Sequence, residues 1–313
     1  MNQINSEVFT PDPHRDRRRA LLKNHPEIAG LVGRDSRTAG WIAVVVTAQV
    51  ALAGIAGLLP TWAMFALAWG VGAFAALALW TLVHECSHDL VLGSAKANRM
   101  LGIAASLPLV LPVGAAFRTY HLLHHRHPGH AIYDVDVPAP WEARAVGSCP
   151  LRKSVWLAAN PLLQSLRTAR IRDVPMVDRW FVLNLAVQIA FDAAVGMLLG
   201  WQALAYLFAS NCFALGLHPL GARFVQEHCT LREGQETTSY YGSANRLVFN
   251  AGYHNEHHDV ARIPWSRLPA LRAAAPEFYD TLHAETSWSR LLLRFLTDKS
   301  LRIDSRVVRG EVG

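Results

Sequence analysis

Residues 39–83 read AGWIAVVVTAQVALAGIAGLLPTWAMFALAWGVGAFAALALWTLV and contain no Asp, Glu, Lys or Arg. A helix needs about 20 apolar residues to cross the hydrocarbon core of a bilayer, so this run is long enough for two crossings. The tripeptide Leu59-Pro60-Thr61 divides it, which predicts one span at residues 41–59 and another at residues 62–83. The sequence therefore indicates an integral membrane protein.

The composition and a second apolar region also indicate an integral membrane protein. Of the 313 residues, 51% are apolar and only 17% are charged, whereas soluble proteins carry about 25% charge. Two further spans are predicted at residues 180–199 and 201–222, separated by Gly200 and with Asp192 as their only charge. An acid within a span is a functional candidate, but a structural hydrogen bond is the favoured interpretation of Asp192. We expect an all-α membrane protein with about four transmembrane helices.

A shorter apolar stretch at residues 100–117 contains Pro108 and Pro112. It is too short to cross the bilayer twice. Irregular backbone at membrane depth is tolerated only where protein buries it, so a re-entrant or interfacial hairpin is predicted here.

The distribution of Lys and Arg predicts the orientation. All 30 of them lie outside the four spans, and none lies in the turns at Pro60 and Gly200. The positive-inside rule then places both turns on the far side and everything else outside the lipid in the cytoplasm, namely residues 1–38, 84–100, 118–179 and 223–313. The last two segments should form a helical cap, with amphipathic helices at residues 267–282 and 287–296. We expect a single domain over residues 1–313.

The excess of basic over acidic residues also indicates which binding partners to expect. The net charge is +6 and the sequence pI is about 9.4. Topology and attraction to anionic lipid headgroups account for this charge, so no nucleic-acid partner is expected. The four cysteines show no CxxC spacing, which argues against a zinc ribbon or a disulfide framework.

Histidine is the residue type that indicates chemistry. Eight of the 15 histidines form three clusters, HxxxH, HxxHH and HxxHH: His84 and His88; His121, His124 and His125; His254, His257 and His258. A spacing of three or four places the imidazoles of one cluster on one helical face. Because the charge distribution puts all three clusters on the cytoplasmic side, they can converge. Eight imidazoles exceed the needs of one tetrahedral zinc and suit two metal ions of higher coordination number.

Other residues are assigned by their position relative to these clusters. Imidazole ligands leave the metal charge uncompensated, so carboxylates are expected to support them; the candidates are Glu85, Asp89, Glu227, Glu256 and Asp259. His228 is the candidate ninth ligand, and His218, within an apolar segment, is interpreted as a satisfied core histidine. No catalytic residue is predicted beyond the metal ligands. The remaining histidines are predicted non-ligands, the first three of them solvated: His14, His25, His283, His127 and His130.

The string HECSH at residues 84–88 also fits the HExxH motif of zinc proteases. That interpretation leaves six clustered histidines without a function, and it is disfavoured.

Longer stretches carry a family resemblance. The three histidine boxes on a four-span core resemble the membrane fatty acid desaturase and hydroxylase superfamily. The stretches PHRDRRRALLKNHPEI (13–28), FRTYHLLHHRHPG (117–129), DVDVP (134–138) and ETTSYYGSANRLVFNAGYHNEHHDVARIP (236–264) are similar to the sphingolipid Δ4-desaturases, also called dihydroceramide desaturases. QEH at residues 226–228 resembles an element of membrane alkane hydroxylases whose histidine is an iron ligand, which supports His228.

The resemblance implies a non-haem di-iron oxidoreductase. Two irons, for which zinc is the alternative metal on purification, would use O2 and two external electrons to introduce a trans C4–C5 double bond into sphinganine. The substrate would be a dihydroceramide-like lipid from the bilayer. The electrons would come from a separate cytochrome b5-like or ferredoxin-type donor. Candidates for head-group contacts are Tyr240, Tyr241, Asn250 and Asn255.

Two alternatives stay open at this point. The chain departs from eukaryotic members at Arg223 and at residues 227–231, EHCTL, so sphingolipid C4-hydroxylation or another acyl-lipid desaturation or hydroxylation is the first. An inactive di-metal membrane protein is the second. The active site is expected on the cytoplasmic side of a bacterial inner membrane, or of the endoplasmic reticulum if the chain is eukaryotic.

Overall fold

A computed structural model describes residues 12–310. The first eleven residues of the predicted N-terminal cytoplasmic segment lie outside the described residues. The described chain is mostly helical, and its α-helices are α1 (Pro13–Asn24), α2 (Arg37–Ala56), α3 (Thr61–Ser87), α4 (Ala95–Ser106), α5 (Val113–Arg126), α6 (Pro140–Val146), α7 (Pro150–Arg167), α8 (Arg179–Leu198), α9 (Trp201–Leu215), α10 (Arg223–His228), α11 (His254–Asp259), α12 (Leu268–Ala274), α13 (Pro276–Tyr279) and α14 (Trp288–Thr297).

Four helical segments are long and apolar enough to cross a membrane, as the sequence predicts. They are Arg37–Ala56, Thr61–Ser87, Arg179–Leu198 and Trp201–His228. The second and fourth are 56% buried and the first and third are 22% buried, so α3 and α9 form the centre of the bundle while α2 and α8 turn apolar side chains outward. The fourth segment contains α9, a 3-10 turn at Pro219–Ala222, and α10.

The two central spans approach each other closely at a glycine. A π-helical segment, Ala68–Gly72, interrupts α3 where it crosses α9. A Cβ atom at Gly72 would lie 2.1 Å from the Ser210 hydroxyl and 2.8 Å from that of Tyr206. Only glycine therefore permits this crossing.

The apolar stretch at residues 100–117 belongs to two longer helices. Ala95–Leu109 and Val113–Arg126 are bent by 115° relative to each other. Pro112 precedes α5 and Val110 is left-handed (φ 65°), so the chain reverses there. The second histidine cluster lies on α5 itself, rather than after the hairpin as the sequence suggests, because nothing ends this helix before Arg126.

The segments on either side of α8 and α9 pack together at a buried lysine. The Lys153 ammonium, on α7, donates to the carbonyl oxygens of Phe295, Asp298 and Leu301 at 2.8, 2.7 and 2.6 Å. These contacts tie α7 to the end of α14. Whether residues 118–179 and 223–313 form a cytoplasmic cap, and whether residues 1–313 form one domain, stay predictions.

Of the two amphipathic helices predicted in the C-terminal part, one is observed and one is not. The helix predicted at residues 287–296 is observed as α14, where the Ser287 hydroxyl caps the N-terminus by accepting from the amide of Arg290. The single helix predicted at residues 267–282 is wrong. It breaks at Ala275 (φ −137°, ψ 60°) because the residue before Pro276 is sterically excluded from helical geometry. Two-residue strands β1 (Ser239–Tyr240) and β2 (Ala284–Glu285) pair in parallel.

Candidate metal centre

Four elements deliver nine histidines to one place. α3 ends with the first cluster, α5 carries the second, α10 ends at His228, and the six-residue α11 carries the third. All nine are buried or half-buried. The predicted clusters therefore converge, although they are separated by up to 174 positions along the chain.

Five of the imidazoles form one group, which we call group A: His84, His88, His121, His125 and His257. One ligand atom from each lies within 4.8 Å of all the others. Their Nε2 atoms form a continuous series of contacts of 2.9, 3.0, 3.0 and 2.9 Å in the order His84, His257, His125, His121 and His88.

The other four imidazoles form group B: His124, His228, His254 and His258. The first, second and fourth again have ligand atoms within 4.8 Å of one another. The Nε2 atoms of His254 and His228 are 3.2 Å apart, and those of His124 and His258 are 3.4 Å apart. Each HxxHH cluster is thus divided between the two groups, and His228, the candidate ninth ligand, belongs to group B.

The contacts within group A suit metal ions better than hydrogen bonds. A neutral imidazole Nε2 carries either one hydrogen or one lone pair. Five such atoms in a row can therefore form two full hydrogen bonds at most, yet they make four contacts. Cations would use every lone pair, and imidazole suits iron, zinc and copper alike. The residues of both groups fit metal ions.

Electrostatics favour the neutral form that coordination needs in the third histidine cluster, but not at His124, where Asp134 outweighs the effect of burial and raises the pKa to about 9. Burial lowers the pKa of His254, His257 and His258 well below the usual value, and the neighbouring histidines lower it further. Metal ligands must be deprotonated before they bind, so these side chains are ready for coordination at neutral pH.

Two of the five predicted carboxylates contact histidines of the site. Glu85 Oε1 is 3.5 Å from His84 Nδ1, and Glu227 Oε1 is 3.7 Å from His254 Nδ1. Both lie beside the far nitrogen of an imidazole, on the side from which a carboxylate would support a metal ligand.

The other three carboxylates have different partners, so their predicted role is corrected. Arg118 holds Asp89 with hydrogen bonds of 2.9 and 2.8 Å. Glu256 accepts hydrogen bonds from Ser239 (2.7 Å) and Tyr241 (2.5 Å), and burial raises its pKa to about 6. Asp89, in the turn after α3, and Glu256, on α11, are adjacent to ligands in sequence, but their carboxylates are paired with other residues.

Asp259, the third, faces the N-terminal helix. It accepts from His14 Nδ1 at 2.7 Å and from Arg17 Nε at 2.6 Å. His14 is buried, and its ring centroid lies 5.0 Å from that of His258. The expectation that His14 is solvated is therefore wrong: α1 packs against the metal centre, a contact over 245 positions that no local pattern could reveal.

Sequence reasoning missed two acids that lie at group B. Asp134 Oδ2 is 2.9 Å from His124 Nδ1, and Asp136 Oδ2 is 3.7 Å from the same atom. Burial alone would raise the pKa of Asp134, but His124 and the hydrogen bond to it hold that pKa below its usual value. The DVDVP stretch, two acids shortly after the second histidine cluster, was the available signal.

The remaining histidines lie outside both groups. His25 and His283 are half-exposed and contact Glu277 and Glu285 respectively. His218 is buried, accepts from the amide of Leu220, and packs edge-on against an aromatic ring, as a core residue would. His127 and His130 contact each other and Tyr133.

Asp192 accepts a hydrogen bond of 2.9 Å from Gln188, one turn earlier in α8. This is the structural partnership that the sequence favours.

An apolar cavity of about 400 Å³ reaches both groups of histidines. Among its lining residues are Trp80, Phe117, Phe181, Leu215, Phe224 and Trp265. Its size and its mixture of apolar walls with a few polar groups are typical of a small-molecule site.

Of the four residues predicted to contact the lipid head group, one lines the cavity and three do not. Asn250 lines this cavity, whereas Tyr240, Tyr241 and Asn255 do not. Tyr240 stacks on Trp288 with ring centroids 3.9 Å apart. The Tyr241 hydroxyl donates a hydrogen bond to Glu256, and the Asn255 amide contacts the Thr237 hydroxyl at 2.6 Å. Packing and local hydrogen bonding account for these three.

Comparison with known proteins decides the family. The fatty acid desaturase family model matches residues 60–290, and the sphingolipid Δ4-desaturase model matches residues 8–37. The sphingolipid delta(4)-desaturase DES1 of Drosophila melanogaster is 39% identical over 310 residues, covering 98% of this chain and 95% of the relative. The chain belongs to the sphingolipid Δ4-desaturases, a branch of the fatty acid desaturase family. Its resemblance to them is confirmed.

Two more relatives are similar to this desaturase. The DES1 of Xenopus tropicalis is 40% identical over 306 residues (96% of this chain, 94% of the relative). A protein of Bos taurus named sphingolipid delta(4)-desaturase/C4-monooxygenase DES2 is 39% identical over 305 residues (96% and 94%). The desaturase is thus a membrane oxidoreductase with a lipid substrate, and its family implies metal-dependent oxygen chemistry at histidines.

Proposed function

We propose that the chain is a sphingolipid Δ4-desaturase that removes one hydrogen each from C4 and C5 of the sphinganine backbone of a dihydroceramide-like lipid, leaving a trans double bond. The observation that carries this proposal is the convergence of nine imidazoles, six of which line an apolar cavity, in a chain similar over nearly its full length to Δ4-desaturases.

Group A and group B each hold one iron in this proposal. When bound, the two irons supply the oxidant, made from O2, that an unactivated C–H bond requires and that acid–base side chains cannot provide. Zinc would bind to the same imidazoles, but it has no redox chemistry and could not supply this oxidant. Glu85, Glu227 and Asp134 lie beside the Nδ1 atoms of His84, His254 and His124, which would leave Nε2 of each to bind a metal ion.

The cavity walls position the substrate. Apolar side chains of α3, α5 and α9 accept the hydrocarbon chain and keep water away from the reacting carbons. The positive-inside rule puts the metal centre on the cytoplasmic side, in the inner membrane of a bacterium or in the endoplasmic reticulum of a eukaryote. A separate cytochrome b5-like or ferredoxin-type protein delivers two electrons per turnover, and no nucleic acid takes part.

One specific observation favours a second activity, C4-hydroxylation, because a relative at 39% identity is named both a Δ4-desaturase and a C4-monooxygenase. Lipid mass spectrometry of a heterologous host fed dihydroceramide separates the two. Desaturation gives a product 2 Da lighter and hydroxylation gives one 16 Da heavier. The His257→Ala variant, which lacks a group A imidazole, should give neither product.

The same host also tests the inactive alternative. Unchanged lipids together with one equivalent of iron or less per folded chain would favour a di-metal protein without this activity. Unchanged lipids with two irons bound would overturn the substrate assignment.

A further inference from the structure

Besides the histidines, the cavity lining contains a set of polar side chains from three neighbouring segments. Helix α7 presents Asn160 and Gln164 to the cavity, and Thr168, the residue directly after the helix, continues this spacing of four. Asp136 and Tyr120 line the cavity from neighbouring segments. We call these five residues the polar wall.

Hydrogen bonds to both backbone groups of Asp136 hold this residue in place. Its amide donates to Asp134 Oδ1 at 2.9 Å, and its carbonyl accepts a short hydrogen bond from the Arg306 guanidinium. The side chain of Asp136 is 21% exposed. A carboxylate anchored at both backbone groups and still open to the cavity is a preorganised acceptor.

The two carboxylate oxygens of Asp136 have different surroundings. Oδ1 accepts a short hydrogen bond from the Gln164 amide. Oδ2 accepts no hydrogen bond from the described residues; it lies 3.7 Å from His124 Nδ1 and 3.9 Å from His228 Nε2. Oδ2 is therefore a free acceptor beside group B.

Two further groups of the polar wall lack partners. Tyr120 is only 4% exposed, yet its hydroxyl makes no hydrogen bond to a described residue. The Asn160 carbonyl accepts from Arg167 at 3.2 Å, while its NH2 group donates to none of the described residues. The Tyr120 hydroxyl and the Asn160 NH2 group can therefore pair with polar groups of a ligand in the cavity.

We infer that the polar wall binds the hydroxyl and amide groups of an amido-diol lipid head, with Asp136 Oδ2 accepting a hydrogen bond from a substrate hydroxyl. This inference rests on the proposed function and makes it more specific. A hydroxyl bound there places the adjacent backbone carbons next to group B. A simple fatty acyl ester or thioester has no hydroxyl to donate, so it leaves Asp136 unpaired and is rejected.

The test compares substrates that differ in one hydroxyl. Dihydroceramide and its analogues without the C1 or the C3 hydroxyl are given to the iron-loaded protein and to its Asp136→Ala variant. For the wild-type protein, kcat/KM for at least one analogue should be about 100-fold below that for dihydroceramide. In Asp136→Ala this ratio should shrink to within about threefold, because the acceptor that discriminates is gone.

A binding measurement removes the dependence on activity. Native mass spectrometry of the metal-loaded protein, without O2 or reductant, should show that Asp136→Ala weakens dihydroceramide binding at least about tenfold and leaves binding of the poorer analogue unchanged. Gln164→Ala, which keeps the carboxylate, should weaken it less. Asp173→Asn is the control and should change nothing, since this exposed carboxylate accepts, among the described residues, a single hydrogen bond, from the Tyr133 hydroxyl at 3.2 Å.

The outcomes are distinct. An unchanged analogue ratio in Asp136→Ala, or the loss of one metal ion from this variant, would overturn the inference; the second result would make Asp136 a metal ligand. If the wild-type protein holds two irons and forms no product from dihydroceramide, the proposed function fails. The binding ratio alone then decides the role of the polar wall.

Discussion

Asp134→Asn should weaken one of the two metal sites and spare the other. Asp134 is 2% exposed, and its Oδ2 lies 2.9 Å from His124 Nδ1 and accepts from the amide of Gly129 at 2.7 Å, while Oδ1 accepts from the amide of Asp136 at 2.9 Å. An asparagine in either orientation turns an NH2 group toward at least one of these donors. No arrangement of the amide satisfies all three.

The magnitude follows from these contacts. Loss of a carboxylate that orients a metal-bound imidazole lowers metal affinity about 10- to 100-fold, or about 1.4–2.7 kcal/mol. Only group B contains His124, so one ion of two should be affected. Chelator titration, with metal per chain measured by mass spectrometry, should show one ion released at about 10- to 100-fold lower chelator concentration than in the wild-type protein.

Two other acids provide the comparison. Asp89→Asn should leave both ions in place, because Asp89 pairs with Arg118 and its left-handed backbone (φ 59°) tolerates asparagine. Glu85→Gln should weaken group A instead, and by less, because Glu85 is 3.5 Å from His84 Nδ1. Equal loss of both ions from Asp134→Asn, or no loss at all, would refute the division into groups A and B.

Three further predictions concern the scaffold. Lys153→Met should lower the free energy of unfolding by about 2–4 kcal/mol, because it leaves two buried carbonyl groups and one half-buried carbonyl group without their charged donor; thermal unfolding in detergent measures this. Gly72→Ala should lower the Tm through its clash between α3 and α9, while Gly70→Ala, with nothing within 4 Å of its Cβ, should not. Hydrogen bonds to Glu277 and Glu27 raise the pKa of His25, so their stabilisation is complete below the unfolded pKa of about 6.5 and is lost as pH rises through the higher folded value. The Tm difference between the wild-type protein and His25→Ala should therefore shrink above that value, and a difference that grows with pH would contradict it.

The spans were predictable because each is fixed by local composition. An uncharged run such as residues 39–83 has no soluble fold to compete with a membrane helix, and the structure places α2 and α3 there. The break at Ala275 was equally local, and Pro276 carried a signal that the amphipathic pattern of residues 267–282 obscured.

The sequence also showed which histidines come together, but it did not show how they divide into groups A and B. Spacing alone puts His121, His124 and His125 on one helical face. Which of them faces which neighbour depends on how α5 packs against α10 and α11, a tertiary property. His14 and Asp136 were missed for the same reason, since neither belongs to a histidine box and each reaches the site through long-range packing.

A single-turnover experiment tests the central claim most directly. Protein loaded with two ferrous ions carries two electrons, the number that one desaturation with O2 requires. Mixed with dihydroceramide and O2 in the absence of any donor, it should yield up to one unsaturated lipid for every two irons, and zinc-loaded protein should yield none. Product from the zinc form, or no product from a folded chain that holds two irons and bound lipid, would contradict the account.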